Sequence, residues 1–323
     1  MCAHSRVEAN MQPDDALDLK AIVRSLLAAV AYTPSIGPEI IKGSMDELEN
    51  AVMKEVRSWN VDDGQHGAVF ASLAAKAASI VEFCYHNHTF EVKVSIALYS
   101  WFFFYIDDIA SEQSLEDYQR RFLLGFPQED PVLVHLNTTL GRMYNYWDPI
   151  CANLIGCAAL ECLSGTLLEN RPEISKMAVR PGAISWPKYL RTMSGVGPGY
   201  SCAIFPKQTH RDISAYIQIL PDIGDYFCLA NDVLSFYKEE LAGETTNQVH
   251  LRADTTGKHP KRVLIEMVEE VRDLHIRITT TLEEQPEALA AWKTFEYGYM
   301  CVALLLGFSV SSFMIQKCVA SVN

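Results

Sequence analysis

Apolar residues recur at the three- and four-residue spacing of amphipathic helices along most of the chain. This pattern predicts helices over residues 16–32, 45–59, 68–83, 90–109, 132–146, 148–168, 262–282 and 287–317. Residues 68–83 and 90–109 are so apolar that they are typical of helices inside a bundle. Residues 299–315 carry no charge, but this run is shorter than the ~20 apolar residues of a membrane span and contains serines. We therefore expect it to be a buried core helix.

Two stretches interrupt the helical pattern. Residues 184–199 contain prolines and glycines through which a helix cannot run undisturbed. Residues 242–260 are polar and include Gly243, Gly257 and Pro260, and a connection of this length without secondary structure is usually a lid or a mobile segment. Residues 1–18 are polar and lack an apolar core, so we interpret them as a flexible lead-in without a targeting signal. A single domain is then expected over residues 19–323.

The composition limits the classes of partner. The 323 residues are 49% hydrophobic, which is ample for a large core. The formal net charge of −13 argues against nucleic acid or an anionic membrane as a partner. If the ligand is nonetheless an anion such as a phosphate, metal ions must bridge the charges. The nine cysteines include no C-x-x-C pair, so we expect reduced thiols in a cytoplasmic protein and neither disulfides nor a zinc site.

Three oxygen-bearing side chains share one helical face in the stretch A-N-D-V-L-S-F-Y-K-E-E-L at residues 230–241. Asn231, Ser235 and Glu239 stand four residues apart, which places them within about 80° of one another on a helix. An amide oxygen, a hydroxyl and a carboxylate suit Mg²⁺, which keeps several waters and takes further ligands from phosphates. Lys238 lies beside this column and is a candidate phosphate contact. The alternative is the ordinary solvated face of an amphipathic helix.

A second acidic group ends the apolar run L-Y-S-W-F-F-F-Y-I-D-D. Asp107 and Asp108 close this helix, and Glu112 follows four residues after Asp108, so a continuous helix would place Asp108 and Glu112 on one face. Like charges at that spacing repel each other unless cations are bound, and the helix dipole disfavours carboxylates at a carboxyl terminus. A metal-binding role is one explanation, and a helix end that reaches solvent is the other.

The two motifs together resemble those of a known family. D-D-I-A-S-E, followed about 120 residues later by N-D-V-L-S-F-Y-K-E, resembles the paired metal motifs of class I terpene synthases. Over residues 40–318 the chain is most similar to fungal sesquiterpene cyclases of the trichodiene synthase type. The resemblance implies an all-α, single-domain bundle around a central apolar cavity, in which three Mg²⁺ ions hold a prenyl diphosphate. It implies that Asp107 bridges two metals with help from Asp108 and Glu112, and that the third metal is held by Asn231, Ser235 and Glu239.

The segment Y-L-R-T-M-S-G resembles the diphosphate sensor and the helix break of the same family. Arg191 would be the sensor, with a surface salt bridge as the alternative, Ser194 the linker, and Gly195 the residue whose carbonyl points into the cavity. Two features depart from the family pattern. The aspartate motif is D-D-x-x-x-E where many relatives have D-D-x-x-D, and no Arg-Tyr pair occurs near the carboxyl terminus. Lys207 and Arg211 are candidates for additional diphosphate contacts.

The chemistry that the resemblance implies is metal-assisted departure of diphosphate from farnesyl diphosphate, followed by cyclisation of the carbocation to a hydrocarbon or alcohol of secondary metabolism. Aromatic faces in a dry pocket attract such a cation, and Phe103 and Phe104 lie one turn before Asp107. Core packing is the alternative for both rings. The enzymatic alternative is a prenyl-chain-elongating transferase, although that family carries two D-D-x-x-D motifs. The other alternative is a non-catalytic helical isoprenoid-binding protein. We expect a monomer or a homodimer.

Overall fold

The computed structural model describes residues 13–33, 38–61 and 66–307, and in these ranges the chain consists of helices and their connections, without a β-strand. The amino-terminal helices are α1 (Pro13–Ala29), α2 (Pro38–Ser58), α3 (Gly67–Cys84), α4 (Phe90–Asp108), α5 (Glu112–Leu124), α6 (Leu136–Tyr146) and α7 (Pro149–Asn170). The helices that follow are α8 (Pro172–Ser175), α9 (Trp186–Ser194), α10 (Gly197–Ala203), α11 (Leu220–Ala242), α12 (Gln248–Thr256), α13 (Pro260–Thr281) and α14 (Pro286–Gly307). Single 3-10 turns occupy Leu133–His135, Ile213–Ala215 and Ile217–Ile219.

The all-α prediction is confirmed, and most predicted helices are present with ends shifted by a few residues. Helix α1 already begins at Pro13, inside the predicted lead-in, and α2 begins at Pro38 rather than at residue 45. Helix α5 was not predicted. The part of the last predicted helix beyond residue 307 lies outside the described residues, as does the predicted stop at residues 34–37.

The segment at residues 242–260 corrects a second prediction, because it is not a structureless connection. Asn247 caps α12 by accepting a hydrogen bond from the backbone N–H of His250. Val249 and Leu251 on this helix are buried. His250 Nε2 also lies 3.0 Å from Glu240 Oε1 on α11. These contacts pack a short helix against the end of α11 where the sequence predicted a lid.

Helix α4 lies in the core and is fastened to its neighbours by buried hydrogen bonds. Tyr99 on α4 donates its hydroxyl to the Ile155 carbonyl on α7 at 3.0 Å. Tyr200 on α10 donates to the Ser100 hydroxyl on α4 at 2.9 Å. Trp101 donates its indole N–H to the Phe70 carbonyl on α3 at 3.1 Å. These bonds satisfy polar groups that would otherwise be buried unpaired, and they fix the position of the D-D pair at the end of α4.

Helices α7 and α9 approach each other closely because residue 165 has no side chain. A Cβ atom built on Gly165 would lie 2.7 Å from the backbone nitrogen of Ser194, closer than real Cβ contacts allow. The same approach brings the Cys162 thiol to 3.9 Å from the Ser194 carbonyl oxygen. The carboxyl end of α9 is therefore held against α7. Gly156 on the same helix has no such neighbour, because nothing lies within 4 Å of a Cβ atom built there.

Helices α3 and α7 are each long and apolar enough to cross a membrane. The most apolar 18 residues of these helices are 56% and 50% buried inside the protein, respectively. Partial burial of this kind is also found in the core helices of a bundle.

The cysteines of the described ranges are free thiols, most of them buried.

Candidate active site

The acidic end of α4 is formed by a break in the helix immediately after the D-D pair. The backbone N–H groups of Ile109 and Ala110 both donate to the Tyr105 carbonyl, at 3.0 and 2.9 Å. A new helix, α5, starts at Glu112 with the Ser111 side chain as its cap. The prediction that Asp108 and Glu112 share a helix face is therefore wrong, because two helices meet between them. The Glu112 carboxylate instead lies 3.8 Å from the Arg171 guanidinium.

The two adjacent aspartates have different surroundings. Asp108 Oδ2 lies 3.5 Å from Lys76 Nζ on α3. Asp107 is solvent-accessible, yet the surrounding protein replaces enough water to raise the pKa of its carboxyl, and the charge of Asp108 raises it further. Arg191 and Lys76 lower the pKa of Asp107, whereas Glu244 raises it. Asp107 is thus close enough to Arg191 on α9 and to Glu244 beyond α11 for their charges to act on it.

The oxygen-bearing column predicted for α11 is present on one helix. Ser235 donates its hydroxyl to Glu239 Oε1, and the Asn231 amide oxygen accepts a hydrogen bond of 2.9 Å from Arg191 Nη2. Burial raises the pKa of Glu239, with the Ser235 hydrogen bond acting against it. The helix ends where Gly243 adopts a left-handed conformation, with φ of +73°. Glu244, the next residue, bonds back through its N–H to the Glu239 carbonyl at 3.0 Å.

The donor set of this column fits a hard divalent cation. Its oxygens come from an amide, a hydroxyl and one carboxylate, which are ligand types that Mg²⁺ accepts. Among the described residues, no three His, Cys, Asp or Glu side chains form a cluster that would hold a metal by itself. An ion bound at Asn231, Ser235 and Glu239 therefore needs further ligands from water or from a substrate.

Arg191 is bound to consecutive residues of α11, and its charge also acts on Asp107 at the end of α4. Its Nε atom lies 2.9 Å from Asp232 Oδ1, and its Nη2 atom donates to Asn231. The two charged side chains are only 20% and 10% exposed, so the alternative of a surface salt bridge does not describe this pair. Burial alone would lower the pKa of Arg191, but the combined interactions with Asp232, Cys228 and Tyr299 outweigh it and raise the pKa. Burial also raises the pKa of Asp232 to about 6, although Arg191 opposes the shift.

The helical conformation is interrupted after α9, as the glycines and prolines of residues 184–199 predicted. Gly195 donates its N–H to the Arg191 carbonyl at 2.8 Å, and Val196 adopts a left-handed conformation with φ of +46°. A Cβ atom on Gly195 would lie 2.7 Å from Cys228 Sγ and 3.1 Å from Arg191 Nη1. The Gly195 carbonyl, which was expected to point into a cavity, accepts a contact of 3.9 Å from the Cys228 thiol.

Ser194 faces a carboxylate that the sequence analysis did not single out. Glu169 lies near the end of α7, close enough to Ser194 for the hydroxyl to act on its carboxyl. Burial raises the pKa of Glu169, while Ser194 and Arg191 lower it and Asp107 raises it. Glu169 is one turn after Gly165, whose missing side chain lets α7 approach Ser194.

The two phenylalanines before the D-D pair point in different directions. The Phe103 ring is buried and meets Tyr99 edge-on, with ring centroids 4.3 Å apart. Phe104 is partly exposed, and Lys76 Nζ lies 5.6 Å from the centroid of its ring. Phe103 therefore belongs to the same aromatic group as Tyr200, whereas Phe104 lies beside the Lys76–Asp108 pair.

Further aromatic residues extend the group around Phe103 towards α11 and α14. The rings of Tyr200 and Phe227 are 4.9 Å apart, and those of Phe227 and Tyr299 are 4.7 Å apart. Tyr299 is buried, and its hydroxyl donates to the Phe227 carbonyl at 3.4 Å. Burial raises the pKa of Tyr299, while Asn231 lowers it, so the aromatic group lies near the oxygen-bearing column of α11.

The basic candidates are distributed over both ends of the molecule. Lys238 is exposed on α11 and lowers the pKa of the adjacent Glu239. Lys207 donates to the Tyr144 carbonyl at 2.8 Å, on a loop next to Thr89 at the beginning of α4. Since α4 separates that end from Asp107 by about 27 Å, Lys207 does not contact the site. Arg211 follows on the same loop.

The sequence is similar to fungal terpene synthases. Residues 65–306 match the family described as trichodiene synthase (TRI5). Terpene synthase BipA of Cochliobolus sativus is 36% identical over 67% of this chain and 67% of its own length. Longiborneol synthase CLM1 of Gibberella zeae is 31% identical over 87% of this chain and 84% of its own. Alpha-cuprenene synthase COP6 of Coprinopsis cinerea is 29% identical over 90% and 88%, respectively.

Proposed function

The chain belongs to the trichodiene synthase family of class I terpene synthases, and we propose that it is a Mg²⁺-dependent sesquiterpene cyclase that acts on farnesyl diphosphate. The reaction breaks the carbon–oxygen bond to diphosphate and closes at least one ring in the resulting carbocation. The product is a cyclic hydrocarbon if a proton is lost, or an alcohol if water adds.

The observation that carries this proposal is the position of Arg191 between two acidic helix faces. On one side Arg191 is bound to Asn231 and Asp232 of α11, and on the other its charge acts on Asp107 of α4. A diphosphate placed among these groups would be reached by a fixed cation and by oxygen ligands from both helices. Such an arrangement neutralises the leaving group as its charge develops.

The residues that would hold the metal are Asp107, with Asp108 and Glu112 secondary, on one side, and Asn231, Ser235 and Glu239 on the other. When bound, Mg²⁺ acts as a Lewis acid on the diphosphate oxygens; by family resemblance we propose three ions. Asp107 is accessible at the end of α4 and is suited to bridge ions. Asp108 and Glu112 are less suited to bind a metal ion, because Lys76 and Arg171 already lie beside their carboxylates.

This chain's own residues have three further tasks. Arg191 and Lys238 contribute positive charge to diphosphate binding, and the planar guanidinium of Arg191 can bind two oxygens at once. Ser194 and Gly195 connect Arg191 to the helix break. Phe103, together with Tyr200, Phe227 and Tyr299, excludes water and presents ring faces to a cation, each contributing about 0.5–2 kcal/mol. Phe104 lies outside this group.

The proposal also includes the localisation, oligomeric state and partners of the protein. We propose a cytoplasmic enzyme, monomeric or homodimeric, whose partner is a small prenyl diphosphate and neither nucleic acid nor a lipid bilayer. The net charge of −13 supports this choice, because it repels polyanions that do not bring bound metal ions.

Incubation of the purified chain with farnesyl diphosphate and Mg²⁺, followed by gas chromatography and mass spectrometry, tests the proposal. We expect a cyclic fifteen-carbon product and none when EDTA is present. Parallel incubations with geranyl and geranylgeranyl diphosphate test the chain length. A longer prenyl diphosphate, formed when isopentenyl diphosphate is added, would instead indicate an elongating transferase. Binding without turnover would indicate an isoprenoid-binding protein.

A further inference from the structure

Arg191 has two partners on α11, and the proposed function assigns only one of them. Asn231 accepts from Arg191 Nη2 at 2.9 Å, and Asp232 lies 2.9 Å from Arg191 Nε. Asn231 is a proposed metal ligand, and one amide oxygen directed at a cation cannot also hold a guanidinium in the same place. Whenever Asn231 binds the metal, Asp232 is the acidic partner left to hold Arg191.

Asp232 contacts Arg191 at Nε, away from the terminal nitrogens that would bind a ligand. The carboxylate meets the Nε edge of the guanidinium, so once Asn231 no longer holds Nη2, the two terminal nitrogens can bind two oxygens of a ligand. Gly195 makes room for one of them, because a side chain there would lie 3.1 Å from Arg191 Nη1. The guanidinium is thus fixed at one edge and open at the other.

Asp232 is poorly explained as a structural residue. It is 7% exposed, and its Oδ2 atom is buried without a hydrogen-bond partner among the described residues. A buried carboxylate oxygen left unpaired destabilises the fold. The residue is therefore better explained by what it does for Arg191 than by what it adds to packing.

We propose that Asp232 is a positioning residue, which keeps the Arg191 guanidinium oriented for diphosphate after Asn231 has turned to the metal. This inference rests on the proposed function and adds a role that the metal-binding motif does not contain. Asp232 does not touch the substrate. It acts through Arg191, by limiting the orientations that the side chain must give up on binding.

The chain offers a matched control in a second ion pair between the same two helices. Asp225 on α11 lies 2.7 Å from Lys188 on α9, but this pair is exposed. We would compare Asp232→Asn with Asp225→Asn by titrating inorganic diphosphate in the presence of Mg²⁺ in a calorimeter. We expect the dissociation constant to rise about tenfold in Asp232→Asn and less than twofold in Asp225→Asn, as loss of one charged hydrogen bond implies.

A double-mutant cycle separates positioning from a general loss of stability. Combining Asp232→Asn with Arg191→Met should weaken diphosphate binding little beyond Arg191→Met alone, because both changes remove the same oriented cation. Asp232→Glu should restore part of the affinity. Additive effects in the cycle, or unchanged affinity in Asp232→Asn with only a lower melting temperature, would overturn the proposal.

If the Asp232 variants do not fold, the variant Arg191→Lys tests the same proposal. An ammonium cannot bind Asp232 at one edge and two diphosphate oxygens at the other, so we expect a similar tenfold loss although the charge is kept. Wild-type affinity in Arg191→Lys would contradict the inference. If the wild-type chain itself neither binds Mg²⁺–diphosphate nor turns over farnesyl diphosphate, the proposed function fails instead.

Discussion

Lys76 Nζ lies 3.5 Å from Asp108 Oδ2, while the adjacent Asp107 forms no ion pair with another described residue, although the charges of Arg191 and Glu244 act on its carboxyl. Neighbouring acids on a helix point about 100° apart. The two aspartates therefore have different surroundings: Asp108 lies beside Lys76 of α3, and Asp107 lies within reach of the charge of Arg191.

Because the two aspartates have different surroundings, we expect their substitutions to lower activity to different extents. We expect Asp107→Asn to lower kcat/KM for farnesyl diphosphate by about 100-fold or more, because it removes the principal ligand. Asp108→Asn should lower it by about tenfold, since it disturbs a residue beside the site. Steady-state kinetics measures both, and circular dichroism should show unchanged helix content. Equal losses in the two variants would contradict the assignment.

Glu239 should couple metal binding to stability. A ligand that binds only the folded chain raises the melting temperature by mass action. We expect Mg²⁺ with inorganic diphosphate to raise the melting temperature of the wild type by several degrees, and Glu239→Gln to lose most of that rise. Glu240 is the next residue along α11, and its carboxylate lies beside His250; Glu240→Gln should keep the rise. A full rise in Glu239→Gln would count against a metal at Ser235 and Glu239.

Gly195→Ala should affect diphosphate binding as well as product distribution. In the structure the added Cβ would lie 2.7 Å from Cys228 Sγ and 3.1 Å from Arg191 Nη1, so the sensor must move. We expect a raised KM together with altered product ratios, measured by kinetics and chromatography. Combining the change with Cys228→Ala should relieve part of the effect, because one of the two close contacts is removed.

A pH dependence of stability is expected from the His275–Glu296 pair, in which Nδ1 and Oε1 are 2.6 Å apart. The hydrogen bond to Glu296 raises the pKa of His275 above its ordinary value, although burial opposes it. A raised folded-state pKa contributes stability that is complete below the ordinary value, near 6.5, and is lost as the pH rises through the folded value.

The corresponding variant is His275→Gln. Between pH 6 and pH 9 the melting temperature of the wild type should fall by about 2 °C more than that of the variant, if the pair contributes about 1 kcal/mol. Differential scanning calorimetry at several pH values measures this difference. Parallel curves for the two proteins would show that the pair contributes no pH-dependent stability.

The sequence predicted those features that depend on local periodicity. The column of Asn231, Ser235 and Glu239 needs only an unbroken helix, and α11 provides one. The break at Gly195 needs only the residues that cannot continue a helix. The relation of Asp108 to Glu112 was misjudged, because the helix end after Asp108 is set by two N–H groups that share the Tyr105 carbonyl.

Other parts of the site depend on tertiary packing and carry little sequence signal. Glu169 reaches Ser194 only because Gly165 lets α7 and α9 approach each other. Phe104 was paired with Phe103 by sequence distance, although adjacent helical residues point in different directions. Asp232 was not singled out from the sequence, although it lies within the proposed metal motif. Its proposed role depends on where α9 places Arg191, which the sequence does not show.

The central claim is that α4 and α11 present their oxygen ligands to one metal-bound diphosphate. Crystals grown with Mn²⁺ and inorganic diphosphate, measured at an X-ray energy where manganese scatters anomalously, test it most directly. The account predicts anomalous peaks within about 2.5 Å of the Asp107 carboxylate and of Asn231, Ser235 and Glu239, joined by one diphosphate. Manganese bound elsewhere, with neither motif within coordinating distance, would contradict it.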